Sequence, residues 1–389
     1  MRIGFVQFAN SMFPRFDVSD GYWDTFYNTY KGYGYVRMKD AFEVPKWIAE
    51  VCNFTPSDCE KKIIWVHESV HEAIDEIRDG KYDWILFSVM TCTKGFTERI
   101  IAASSHEQKF LIGGYDDWIY ECCRCFQNVV VADTMKQTAQ ALGFDYNAGT
   151  DYSLFKGWTV LPRLTLSYGC LNNCKFCIVP HTMSVVDDET IYQQVSSFKD
   201  LDFSLIYIDD KTFGQAKNYL MLKNLKNEIL KYNSNFRGFV VQTTSGLLRS
   251  KAEEFKDIGV VVAEIGVETF NDDILKLYRK PSSEKMVSEA FDAAERAGIK
   301  VIPNIIVGFP EETEETYERT ERFINDYKDR IFGVNFAMYT DYSSKDCVGE
   351  VDFADSPKIE LHRKYWARLN NMASKIVFSK NTIAKKPII

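Results

Sequence analysis

The chain has 389 residues, of which 46% are hydrophobic and 26% charged, with a formal net charge of −8. That length accommodates two or three domains and a sizeable core, and the acidic balance argues against a broad basic face for nucleic acid. Ten unevenly spaced cysteines do not form a disulfide framework. No run approaches the ~20 apolar residues of a membrane span. The opening Met1–Phe8 turns polar at Asn10, so no secretory apolar region is expected and the cytoplasm is the expected compartment.

Residues 1 to 150 read as an open α/β unit. Strands are expected at Ile3–Phe8, Ile63–His67, Trp84–Val89, Phe110–Ile112 and Val129–Ala132. Helices are expected between them at Asp40–Cys52, His67–Asp79, Phe96–Ser104 and Met135–Leu142, the last closed by Gly143. Strand and helix alternate, which predicts right-handed crossovers and a Rossmann-like sheet. Ligands in such sheets sit outside the carboxyl ends of the strands. Ser88 and Thr91 lie at one of those ends and Gly113-Gly114 at the next. Two stretches stand outside this alternation. Trp23–Tyr35 is rich in aromatics and reads as a packing loop or lid, while Cys122, Cys123 and Cys125 read as ordinary thiols.

After a passage at 151–160, a second α/β series covers residues 158–340. Its strands are expected at Leu164–Ser167, Leu205–Ile208, Gly238–Gln242, Val260–Val267, Val301–Val307 and Gly333–Met338. The helices expected between them are Glu189–Phe198, Tyr219–Tyr232, Lys251–Ile258, Ser282–Ala297 and Glu314–Lys328. Six βα steps make a partial TIM-like barrel, whose chemistry belongs at the carboxyl ends of the strands. A tail, 341–389, carries a helix from about residue 359 to 376 with Leu361, Tyr365, Leu369, Met372 and Ile376 on one stripe.

The first of those strands runs into Cys170, Cys174 and Cys177, a C-x3-C-x2-C loop. Soft thiolates select iron–sulfur clusters, zinc or copper(I). Structural zinc takes four ligands in two closely spaced pairs; here no fourth Cys or His stands at that spacing, and His181 follows only beyond Pro180. Three cysteines on a four-iron cluster leave one iron free for a substrate or cofactor. With Phe176 directly before the last cysteine, the loop resembles that of the radical S-adenosylmethionine (radical SAM) enzymes.

The resemblance implies a reduced [4Fe-4S] cluster, S-adenosylmethionine chelated at the open iron, and a 5′-deoxyadenosyl radical that abstracts hydrogen. It also assigns the strand ends. Asp209 and Asp210 follow the second strand, where the family places the acids that hold the methionine amino group. Thr243 ends the third strand, and Glu268, in Ile265-Gly-Val-Glu268, ends the fourth. Asn304-Ile-Ile-Val-Gly308-Phe-Pro-Glu311 is similar to the family's fifth-strand motif, with Asn304 in place of a glycine. A zwitterionic ligand needs acids for its ammonium and donors for its carboxylate.

The first series resembles the cobalamin-binding domain that precedes many radical SAM barrels, and on that resemblance Ser88, Thr91, Gly113 and Gly114 line the channel for the nucleotide tail. The D-x-H-x-x-G cobalt-ligand motif is absent after the first strand, where Ala9-Asn-Ser-Met-Phe-Pro14 stands. Two readings stay open here: cobalamin bound without that histidine, with methyl transfer or a radical rearrangement on a small molecule, or a cobalamin-independent mutase, dehydrogenase or sulfur-inserting enzyme with a relic domain. Either needs an external electron donor such as flavodoxin or ferredoxin. An iron–sulfur sensor or electron carrier is the non-enzymatic rival.

Overall fold

The computed structural model describes residues 1–8, 30, 33, 44–67, 69–89, 93–114, 126–339 and 356–383. Its described residues form two compact units. The first runs to Val160 and takes in Ser196–Asp202; the second holds the remainder from Leu161, together with Tyr30 and Tyr33. The expected thiols Cys122, Cys123 and Cys125 lie outside the described residues, as does most of the aromatic stretch.

In the first unit β1 (Arg2–Phe8), α1 (Lys46–Phe54), β2 (Glu60–Val66), α2 (Val70–Gly80), β3 (Trp84–Val89), α3 (Lys94–Ala103), β4 (Phe110–Gly114), β5 (Val129–Val131) and α4 (Met135–Leu142) alternate. The sheet is parallel in the order β2-β1-β3-β4-β5. Phe5 of β1 stands opposite Ile63 on one side and Leu86 on the other, so the winding reverses at β1. That is the flavodoxin-like variant of the doubly wound fold, with its ligand crevice at the reversal. Val6, Ile64, Ile85, Phe87, Phe110 and Ile112 are buried in its core, as the near-continuous apolar strands require. Two helices start later than the sequence suggests. Among the described residues α1 begins behind Pro45, and α2 begins at Val70, where the Ser69 hydroxyl accepts from His71 N–H.

The second unit contains β6 (Arg163–Leu164), β7 (Ser167–Gly169), β8 (Met183–Val185), α5 (Asp188–Ser197), β9 (Leu205–Ile208), α6 (Leu222–Tyr232), β10 (Gly238–Thr243), α7 (Ser245–Asp257), β11 (Val260–Glu268), α8 (Asp272–Leu277), α9 (Glu284–Ala297), β12 (Lys300–Val307), α10 (Glu314–Asp326), β13 (Asn335–Met338) and α11 (Ile359–Ile383). Six strands form a parallel sheet in the order β13-β12-β11-β10-β9-β6. Each βα step adds its strand beside the last, the winding of a curled half-barrel.

The chain departs from the expected first strand. Only Arg163–Leu164 joins the barrel, against β9, while Ser167–Gly169 pairs antiparallel with Met183–Val185. The cause is a distant side chain: the backbone N–H groups of Leu166 and Ser167 donate to the Asp210 carboxylate rather than to a neighbouring strand. Three helices also differ. The helix expected from Lys251 starts six residues earlier, capped by Thr244. The helix expected from Tyr219 opens as a tight turn at Lys217–Met221 before α6. The short α8, capped by Asn271, has no counterpart in the expected elements. The tail helix reaches Ile383, and its buried face holds His362, Tyr365, Trp366 and Leu369, while Leu361 and Met372 of the expected stripe are half-buried. Tyr30 and Tyr33 pack edge-on against Phe332 at 6.0 and 6.1 Å. Among the described residues no helix is long and apolar enough to cross a membrane.

Gly169 closes the hairpin with φ +85°, and a Cβ there would meet the Thr182 carbonyl oxygen at 1.7 Å. Gly169→Ala is therefore expected to cost at least about 1–3 kcal/mol in denaturant unfolding. An unchanged midpoint would show that the hairpin does not depend on this turn.

Candidate active site

The cysteine loop leaves β7 and returns at β8, and it is pinned along its length. Cys170 N–H donates to Pro180 O at 3.1 Å, Leu171 N–H to Gln215 Oε1 at 2.9 Å, and Lys175 N–H to Tyr278 O at 3.0 Å. His181 Nδ1 lies 2.7 Å from Asn172 O, so that ring nitrogen is engaged within the loop. Cys170 and Cys174 are buried, Cys177 is half-buried, and all three are free thiols. The Cys170 sulfur sits 3.1 Å from Thr212 Oγ1. Among the described residues no three His, Cys, Asp or Glu side chains gather as a site for a single metal ion. A four-iron cluster makes a different demand, because each thiolate binds its own iron. Three thiols on one braced loop, joined by no fourth protein donor among the described residues, are a donor set that fits it. Burial pushes the Cys174 thiol up to about 11, with the Lys280 charge working the other way. Iron binding supplies the positive charge that makes such a thiol ionise.

The strand-end residues divide by what already holds them. Asp210 is buried and accepts from Leu166 N–H (2.9 Å), Ser167 N–H (2.9 Å) and Ser167 Oγ (2.7 Å). Burial pushes its carboxyl above the ordinary range, and those bonds pull the other way. Asp209 accepts from Arg163 at 2.6 Å, with Lys211 at 3.8 Å. Thr243 Oγ1 donates to Phe213 O at 2.8 Å. Glu268, with φ +63° at a register shift in β11, is paired with Lys280. Asn304 Oδ1 accepts from Asn335 Nδ2 at 3.0 Å. Gly308 N–H donates to Tyr317 Oη, and Glu311 accepts from Tyr278 OH at 2.9 Å. Phe176 packs with Tyr278 and Phe309, ring centroids 6.3 and 5.9 Å away. In the first unit Ser88 lies beside Gly113 in register, and Gly114 beside Val89; Thr91 falls outside the described residues.

Sequence reasoning missed Lys280, Tyr278, Gln215 and Thr212. Only the short capped helix at Asn271-Asp272-Asp273, which delivers Tyr278 and Lys280, left a readable local signal. The side chains of Lys280 and Glu268 are only 10% and 9% exposed. Burial works against the lysine charge, but Glu268 beside it, with Cys174 and Cys177 acting the same way, leaves its pKa raised. The ammonium also lies 5.9 Å above the Phe176 ring. A cation–carboxylate pair is thus built into the wall next to the cysteine loop. Beyond it, burial pushes the Glu312 carboxyl up to about 7 despite the bond from the Thr316 hydroxyl.

Lys280→Met should leave Glu268 buried and uncompensated, costing about 3–5 kcal/mol in chemical denaturation, and adding Glu268→Gln should recover most of that loss. For Glu312 the folded pKa, about 7, stands above the ordinary 4.5. The stability it contributes is therefore complete below about pH 4.5 and lost as pH rises through about 7. The gap in melting temperature between Glu312→Gln and the unsubstituted protein should widen in the variant's favour from pH 5 to pH 8. A constant gap would contradict the assignment.

Comparison with known proteins bears on this constellation. Residues 164–324 match the sequence model of the radical SAM superfamily. The ribosomal protein uS12 methylthiotransferase RimO of Clostridium botulinum is 25% identical over 210 residues, 49% of this chain and 46% of that protein. The chain thus spans about half the length of this curated relative. Among solved structures, the cobalamin-dependent S-adenosylmethionine radical enzyme OxsB with aqua-cobalamin and S-adenosylmethionine bound aligns with a TM-score of 0.52 at 14% identity, over 95% of this chain and 56% of its own. The radical S-adenosylmethionine methyltransferase TsrM from Kitasatospora setae, with cobalamin and a [4Fe-4S] cluster, aligns with a TM-score of 0.52 at 12% identity, over 87% and 74%. These two share the fold. With its three-cysteine loop at the mouth of a parallel half-barrel, the chain carries a radical SAM superfamily domain across residues 164–324.

Proposed function

We propose that this protein cleaves S-adenosylmethionine reductively, with Cys170, Cys174 and Cys177 each holding one iron of a [4Fe-4S] cluster. The observation that carries the reading is the loop itself: three free thiols, two of them buried, on a segment pinned at both ends and in its middle. When bound, the cluster supplies the electron that breaks the C5′–S bond of the sulfonium. The protein's part is orientation and exclusion of water. Gln215 and the Tyr278 carbonyl fix where the loop sits. Glu268 and Lys280 present one negative and one positive group beside it, the complement of a zwitterionic amino acid moiety. Asn304, Gly308 and Glu311 shape the neighbouring strand end. Asp210, whose oxygens are taken up by the chain, works in this reading by holding the loop's entry.

The finer reading is a cobalamin-dependent methyltransferase or radical rearrangement enzyme acting on a small molecule, served by an external electron donor. It is supported by the strand order of the first unit, by Ser88 and Gly113 in register at the carboxyl ends, and by the fold shared with OxsB and TsrM. The rival is methylthio transfer to a macromolecule, as the name of the RimO relative describes for that protein. The chain's net charge of −8 weighs against a nucleic-acid substrate.

Anaerobic purification with iron and cobalamin supplied decides between them. The protein is expected to show cluster absorbance, retain corrinoid and form 5′-deoxyadenosine under dithionite. Cluster chemistry without retained corrinoid would favour the rival. Cys174→Ala should fail to hold the cluster and drop 5′-deoxyadenosine to background; full SAM cleavage by that variant would overturn the proposal.

A further inference from the structure

We propose that the C-terminal helix α11 is a working part of the S-adenosylmethionine site: Lys358, just before it, and His362, within it, are positioning residues that hold the turn closing the fifth barrel strand. The inference rests on the reading given under Proposed function and adds to it a role for a segment outside the matched domain.

The turn, residues 308–312, needs support. Gly308 has φ +109°, a conformation glycine adopts without strain, and Pro310 has no N–H to contribute. Its own closure is a single bond from Glu312 N–H to Phe309 O at 3.0 Å. Further ties reach it from α10 and from the tail. Lys358 Nζ donates to Pro310 O at 2.7 Å and to Glu312 O at 2.8 Å. Gly308 N–H donates to Tyr317 Oη at 3.0 Å, and that hydroxyl lies 2.8 Å from His362 Nδ1. Tyr317 and His362 are both buried. Burial and the Lys358 charge pull His362 down to about 4, so at neutral pH its ring is uncharged and, in the tautomer with the proton on Nε2, Nδ1 accepts a hydrogen bond from the Tyr317 hydroxyl. The tyrosine oxygen accepts from Gly308 N–H, so one hydroxyl links the turn to His362 on the helix.

The helix is a firm anchor for these ties. Tyr365 stacks on Tyr317 with centroids 4.5 Å apart and planes 14° from parallel. Arg368 pairs with Glu321 at 2.6 Å and Lys364 with Glu314 at 2.5 Å, both across to α10. From the turn the contacts continue to the cysteine loop: Phe309 packs on Phe176, and Glu311 accepts from Tyr278, whose carbonyl holds Lys175. A shift of α11 therefore moves Gly308 and Glu311 relative to the thiols.

The test uses the full chain loaded anaerobically with iron and sulfide. Two variants each cut one tie: Tyr317→Phe keeps the ring stack and deletes the hydroxyl, and Lys358→Met keeps the apolar stem and deletes the ammonium. Hydrogen exchange of a peptide spanning 305–312 reads the turn, and equilibrium dialysis reads S-adenosylmethionine affinity. Both variants are expected to keep their iron, exchange faster across the turn and bind S-adenosylmethionine about tenfold more weakly, and Lys358→Arg should restore both readings. Unchanged exchange, or faster exchange with unchanged affinity, overturns the proposal. If the unsubstituted protein itself fails to bind S-adenosylmethionine while exchange still responds to the variants, the functional reading falls and this role of α11 falls with it.

Discussion

A single buried carboxylate decides where the cysteine loop leaves the barrel. Asp210 takes the backbone N–H groups of Leu166 and Ser167 and the Ser167 hydroxyl, and it has no cation of its own in those bonds. A buried carboxylate is tolerated when several donors satisfy it. The consequence is that the first barrel strand stops after two residues, and the chain turns into the hairpin that carries Cys170, Cys174 and Cys177. The acid's position after the second strand is what lets it reach back 43 residues to Ser167.

Around that loop the packing alternates between rings and charges. Phe176, Tyr278, Phe309 and Tyr339 form a cluster of aromatic contacts, with Phe309 5.1 Å from Tyr339. The Lys280–Glu268 pair sits against its edge. Removing such charges from water is costly, and the cost is offset only when the partners are close and well bonded. Glu268 meets that condition by adopting a left-handed backbone conformation at the end of β11. Strain and buried charge of this kind collect at functional sites because the surrounding structure over-determines them.

The tail illustrates a different dependence. A stripe of apolar residues on a terminal helix is ordinarily packing and nothing more. Here the buried face also carries His362, and the residue before the helix is Lys358, so the tail that covers α10 meets the carbonyls of the fifth-strand turn directly and its N–H through Tyr317. The packing of the tail and the shape of that turn are thereby carried by the same contacts.

Much of this was legible without coordinates. The spacing of the three cysteines, the alternation of apolar runs with amphipathic segments and the acids at successive strand ends depend on neighbours in sequence, and they survive in the structure as a cysteine loop and two parallel sheets. What the sequence could not express was pairing across distance. Nothing local marks Leu164–Ser167 as a strand about to break, because the group that breaks it is Asp210. Lys280 reads as one more surface lysine until α8 folds it onto Glu268, twelve residues earlier in the chain. The tail stripe was drawn from hydrophobicity, so it passed over His362, which is buried because Tyr317 satisfies its ring nitrogen. The amino-acid sequence by itself determined which groups are available for the chemistry and which elements bring them near; tertiary structure alone decided which of those groups are spent on holding the site together, since a polar side chain's role follows from its partner and the partner is chosen only when the chain closes on itself.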